Sequence, residues 1–169
     1  GRPSIIDPKL KFIFTAGSIR PARGLIDVLK AFKVLIKKHN ELNLVIAGAS
    51  TKNMINYEKK LLDFVQKNNL ENKVLWAGHL NEDEINWCYQ NSKCFVMSSR
   101  VEACPNIAIE AMSNSALVVS TKNKPMPEFF IDNAHYYQSG NYIDLTEKIS
   151  TLINLEDNKK QLIKTSINQ

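Results

Sequence analysis

Two carboxylates, Glu102 and Glu110, stand with seven residues between them in the stretch Ser98-Ser99-Arg100-Val101-Glu102-Ala103-Cys104-Pro105-Asn106-Ile107-Ala108-Ile109-Glu110-Ala111-Met112. The apolar run Cys94–Ser98 ends just before them, and Pro105 suits the first turn of a helix. The free amides of Asn106 and Ile107 would then point out of the helix start toward a bound anion. Glu110 lies about 7.5 Å beyond Pro105 along the axis, at about 1.5 Å per residue. A diphosphate at the helix tip would leave a ribose near Glu110 and a sugar near Glu102. Each carboxylate can accept two hydroxyl hydrogen bonds, which suits a vicinal diol. The plainer alternative is that Glu102 caps the helix and Glu110 is simply exposed.

Two further segments offer chemistry of the same kind. The loop Gly17-Ser18-Ile19-Arg20-Pro21-Ala22-Arg23-Gly24 combines two glycines with two arginines. Such a loop can approach a phosphate closely and pair it with guanidinium groups, although a solvated loop would read the same way. It is neither G-x-G-x-x-G nor a P-loop. Glu128 follows Pro127 in Lys122-Asn123-Lys124-Pro125-Met126-Pro127-Glu128. It would face the same rim, or merely sit in a helix first turn. Glu82, Asp83 and Glu84 suit the positive end of a helix dipole and are assigned no catalytic role.

The elements that must position these residues alternate along the chain. Strands are expected at 10–16, 42–47, 73–77, 94–98, 116–120 and 134–138. Helices are expected at 24–38, 57–68, 82–90, 106–113, near Pro127, at 142–154 and at 156–166. The clearest helix carries Leu25, Val28, Leu29, Phe32, Leu35 and Ile36 at a spacing near that of an α-helix. Short apolar strands separated by helices imply an α/β fold: a Rossmann-like, doubly wound parallel sheet of about six strands covered on both faces. In such sheets ligands bind beyond the carboxyl ends of the strands. The rim residues are then Gly17, Ser18, Gly48, Gly78, His79, the 98–107 segment and Glu128. Residues 1–9 read as a connection to another domain, and 10–169 as one domain.

Composition narrows the function. The 169 residues suffice for one domain with a full core, and 44% hydrophobic with 23% charged is ordinary for a globular protein. The net charge is +5, but only four of the 22 basic residues are Arg. The basic residues are scattered on helix faces without interleaved aromatics, so no nucleic acid is expected as a partner. Weak attraction to an anionic membrane surface stays open. Cys88, Cys94 and Cys104 show no C-x-x-C spacing, which suggests reduced thiols in the cytoplasm and no zinc site. Cys104 reads as a packing residue, since no base lies near it in sequence. His39 and His135 read as structural, and only His79 falls on the rim.

The loop 17–24, the strand-ending glycines Gly48 and Gly78, the E-x7-E of Glu102 and Glu110 followed by Ala111-Met112, and Glu128 occur in this order. Together, over about Leu10 to Leu155, they resemble the C-terminal donor-binding domain of GT-B-fold glycosyltransferases of the group 1 (family 4) type. The resemblance implies retaining transfer of a hexose from a nucleoside diphosphate sugar to a glycan or lipid-linked acceptor. UDP is the first choice of nucleotide, with GDP or ADP as alternatives. Carried over by position, Glu110 would hold the ribose hydroxyls and Glu102 the sugar hydroxyls, the two forming the catalytic pair. Cys104, Pro105, Asn106 and Ile107 would line the sugar and diphosphate. Arg23 stands where the family has a phosphate-binding Lys, Gly78 and His79 where backbone contacts the base, and Glu128 where a third acid recurs.

Three positions depart from the pattern. Ser18 replaces the usual Arg after the first glycine, a charge that Arg20 could supply. Pro105 replaces a Gly at the helix start, removing one amide donor. Ser115-Ala116 replaces a Gly-Pro and touches only a turn. No Asp-x-Asp occurs in the sequence, so no metal or other cofactor is expected, and fixed positive charge must stabilise the leaving group. The same resemblance implies that an N-terminal domain carries the acceptor site; the protein is expected in the cytoplasm, with a peripheral contact at the cytoplasmic face of the inner membrane as an alternative. The isolated chain is then expected to bind donor and transfer little. The alternatives are half of a GT-B-like sugar-nucleotide epimerase and a non-enzymatic nucleotide-binding module. A receiver domain would need an acid pair after its first strand, and Gly17-Ser18-Ile19-Arg20 has none.

Overall fold

The computed structural model describes residues 1–101 and 106–167, with side chains up to 155. Six strands form one sheet: β1 (Phe12–Ala16), β2 (Asn43–Ala47), β3 (Val74–Gly78), β4 (Phe95–Met97), β5 (Val118–Thr121) and β6 (Ala134–Tyr137). Their order is β3-β2-β1-β4-β5-β6, and every neighbouring pair is parallel. The order reverses between β1 and β4, which meet at Phe14 and Phe95. Chain loops diverge at such a reversal and leave a crevice beyond the strand ends.

Alternation along the strands divides the core in two. In β1, Ile13 faces one layer while Phe12 and Phe14 face the other, as the two-residue repeat of a strand requires. The first layer is covered by α1 (Leu25–Leu35), α2 (Ile55–Lys67) and α6 (Tyr142–Ile167). There Val28, Leu29 and Phe32 of α1 share one buried cluster with Leu145, Ile149 and Leu152 of α6. The second layer is covered by α3 (Glu82–Asn91), α4 (Asn106–Ser113) and α5 (Met126–Phe130). Tyr89, Phe14 and Phe95 interlock there through edge and tilted ring contacts, with centroids 5.0–5.8 Å apart. Ile6, from the segment set apart as a connection, is 1% exposed and belongs to this layer.

The expected doubly wound sheet is therefore observed. Two differences have physical causes. The two helices expected at 142–154 and 156–166 are one, because Asn154-Leu155-Glu156 contains no Pro or Gly to stop it. Helix α3 begins with a capping box, in which Asn81 accepts from the Glu84 amide and Glu84 accepts from the Asn81 amide, both at 3.0 Å. The acidic start of that helix is thus partly a cap.

Candidate functional site

Three strands end in glycines that lie side by side. The Gly17 amide donates to Ala47 O at 3.0 Å, and the Gly48 amide donates to Gly78 O at 2.7 Å. Gly48 has φ of +122°, and a Cβ there would stand 2.0 Å from Gly17 O. Only glycine lets these two backbones touch. Gly17, at φ +133°, is approached by Ile107 Cδ1 and by the Arg23 side chain. The strand ends therefore form a floor of bare backbone, with α4 and the loop after β1 as its walls.

Over this floor lies an open cleft of about 400 Å³, lined among others by Gly17, Ser18, Gly48, His79, Ile107 and Glu110. Leu80 and Ile85 add an apolar side. Glu110 is exposed and points into the cleft from α4. The hydroxyl of the buried Tyr89 donates to Glu110 Oε2 at 3.3 Å. Burial, and then the Glu110 charge, push the Tyr89 phenol far above its ordinary range, so it remains a donor. Ser50, also in the cleft's lining, donates to Glu58.

Beside the cleft, a single 3-10 turn (Pro21–Arg23) carries the second arginine. Arg23 Nη1 donates to Ser99 Oγ at 3.3 Å, beyond the end of β4. Arg20 is exposed at the start of that turn. Gly24 follows in the left-handed region at φ +64°, and a Cβ there would stand 2.2 Å from Ser98 O. The loop after β1 is thus pressed against the loop after β4, at the point where the sheet order reverses.

The structure brings Gly17, Ser18, Gly48, His79, Ile107 and Glu110 to one cleft, with Gly78 hydrogen-bonded into its floor and Arg23 at its edge. Asn106 is the first residue of α4. Glu128 sits exposed in the first turn of α5, beyond β5, and is not among the cleft's lining. Glu102, Cys104 and Pro105 lie outside the described residues. Among the described residues no group of three His, Cys, Asp or Glu side chains could hold a metal ion. Sequence reasoning placed Ser99 and Arg100 on the rim only as part of the 98–107 segment, and missed Tyr89, Asp27 and the pairing of Asp27 with Arg100. Tyr89 has no local signal, since the partner of its hydroxyl lies 21 residues away.

The model of the family "Glycosyl transferases group 1" matches residues 2–169. An uncharacterized glycosyltransferase of Methanocaldococcus jannaschii is 30% identical over 164 residues, covering 92% of this chain and 39% of its own length. Across the curated relatives it matches, the chain spans only 25% to 40% of their length. The crystal structure of the C-terminal domain of LpcC, a group 1 family glycosyl transferase of Francisella tularensis, superposes with a TM-score of 0.78 at 25% identity. The match covers 85% of this chain and 75% of that one. Anabaena HepE in complex with UDP superposes with a TM-score of 0.78 at 19% identity, covering 86% of this chain and 40% of that one, a likeness of fold. The domain has the architecture of one half of a GT-B enzyme. Because the family match runs almost end to end and is not confined to the cleft, it is the whole domain that is shared, and this chain belongs to the group 1 glycosyl transferases.

Proposed function

We propose that this domain holds the nucleoside diphosphate sugar for a retaining hexosyl transfer, and that the cleft between α4 and the strand-ending glycines is the donor site. The observation that carries the reading is the placement of Glu110. Its carboxylate faces a cleft whose floor is backbone, and a buried hydroxyl holds one of its oxygens. A carboxylate so placed can accept both hydroxyls of a ribose. The base then lies toward Gly78, His79 and Leu80, and the diphosphate toward Arg23, Arg20 and the amides at the start of α4. Glu102 is assigned the sugar hydroxyls.

Breaking the bond between the anomeric carbon and the β-phosphate oxygen leaves negative charge on the diphosphate. Arg23 and the positive end of α4 are fixed beside the cleft before that charge develops, so little reorganisation is needed. No metal is assigned to this step. Uridine is the preferred base, in keeping with the UDP carried by the Anabaena neighbour. GDP and ADP remain the alternatives. The acceptor, a glycan or lipid-linked sugar, is assigned to the part of the polypeptide that this chain does not span. The purified chain is accordingly expected to transfer little or no sugar, and efficient transfer by it would contradict this assignment. Among the described residues no helix is long and apolar enough to cross a membrane. We place the domain in the cytoplasm, with at most a peripheral contact at the inner membrane.

Thermal unfolding against UDP, GDP and ADP tests the reading, for wild type and Glu110→Ala. A nucleotide at about 100 times its Kd adds about 2.7 kcal/mol of stability. In a domain of this size that is a rise in Tm of roughly 5–10 °C. The expected outcome is a rise with one nucleotide that Glu110→Ala abolishes. A rise of equal size in both proteins would remove Glu110 from the site.

A further inference from the structure

Asp27 is the third residue of α1, and it is 3% exposed. A buried carboxylate is costly unless it is paired and hydrogen-bonded. Its Oδ2 accepts from Arg100 Nη2 at 2.8 Å. The positive end of α1 adds support. Such a pair is weak evidence for stability, since well-packed apolar residues often do as well, but it can specify a unique arrangement. What it specifies here is visible in its surroundings.

The pair joins two segments 73 residues apart in sequence. The same segments are joined three more times: the Arg100 amide donates to Ala22 O at 2.8 Å, Ser98 Oγ to Arg23 O at 2.7 Å, and Arg23 Nη1 to Ser99 Oγ at 3.3 Å. From the other side, Thr121 Oγ1 donates to Ser99 O at 2.9 Å and Asn123 Nδ2 to Arg100 O at 3.0 Å. Arg23 stands at the centre of this lattice, and its side chain runs along Gly17 at the cleft's edge.

We infer that the Asp27–Arg100 ion pair is a positioning device for the diphosphate end of the site, fixing the turn that carries Arg23 onto the segment Ser98–Arg100. The inference rests on the donor-site reading above. Neither Asp27 nor Arg100 touches the ligand in this account. They act through Arg23. Tyr57 and Tyr137 lie close enough to feel both charges.

The test is titration of the 169-residue chain with UDP and with uridine, for wild type, Asp27→Asn, Arg23→Ala and the double variant. Asp27→Asn should weaken UDP by about tenfold and leave uridine within about twofold, because only the diphosphate reaches Arg23. Once Arg23 is Ala, adding Asp27→Asn should cost nothing more. A merely structural role would weaken UDP and uridine alike, or add fully to Arg23→Ala, and either result overturns the inference. Arg100→Lys keeps the charge but loses the planar fork, and should repeat the Asp27→Asn pattern in weaker form. It carries the test if Asp27→Asn does not fold. If wild type binds none of UDP, GDP and ADP, the donor-site reading fails and takes this inference with it. If wild type binds UDP and Asp27→Asn binds it equally well, only the inference fails.

Discussion

Glu110 is exposed, yet its carboxylate is held by a hydroxyl that the core itself supplies. Tyr89 is 1% exposed and packs its ring between Phe14 and Phe95, so its hydroxyl position is set by the sheet. Tyr89→Phe keeps the ring and removes only that donor. It should cost about 1 kcal/mol of stability and lower nucleotide affinity severalfold, read by urea melts and titration. Unchanged affinity would reduce Tyr89 to a packing residue. The same burial predicts a pH dependence. Cys88, on the same helix, has its thiol pushed up to about 12, chiefly by desolvation and then by Glu84. Its native pKa, like that of Tyr89, exceeds the value of the unfolded chain. The stability these neutral groups contribute is therefore complete below the unfolded thiol pKa of 9.0 and is lost as pH rises toward about 12. Unfolding free energy measured between pH 8 and 11 should fall, and the fall should be shallower in Cys88→Ala. A flat profile in wild type would contradict the burial of ionisable groups described for α3.

At the scale of elements, the cleft depends on loops that share space with one another. Gly48→Ala would drive a Cβ to 2.0 Å from Gly17 O at φ +122°. It should cost about 3 kcal/mol or more, since both the backbone conformation and the contact are refused. Gly140, at φ +80°, has nothing within 4 Å of a built Cβ, so Gly140→Ala should cost only about 1 kcal/mol. Chemical denaturation of the two variants checks the contrast, and equal costs would mean that the floor can relax. The alternation of strand and helix was legible in the sequence because it rests on local period: Val28, Leu29 and Phe32 mark α1 without reference to anything else. The strand-ending glycines and Glu110 were legible too, because sheet geometry sends them to one rim. The continuity of α6 was not, since Asn and Asp weaken a helix without ending it. Tyr89 and the Asp27–Arg100 pair were not legible either. Their meaning lies in hydrogen bonds across 21 and 73 residues, which leave no periodic trace.

At the scale of the whole molecule, the domain matches only part of the length of its curated relatives. It spans 25% to 40% of its curated relatives and carries the sheet reversal, the cleft and the arginine turn within that length. If the cleft is the donor site proposed above, nucleotide binding rather than sugar transfer is the property to measure on this chain. The central claim is that the Glu110 carboxylate accepts the ribose hydroxyls. The most direct test compares UDP with 2′,3′-dideoxy-UDP by calorimetric titration of wild type and Glu110→Ala. A hydrogen bond to a charged group contributes about 1.5–3 kcal/mol, so wild type should lose about ten- to hundredfold in affinity when the hydroxyls are removed. Glu110→Ala should bind the two nucleotides equally. If Glu110→Ala discriminates between them as strongly as wild type does, the hydroxyls are held elsewhere and the account of this cleft is wrong.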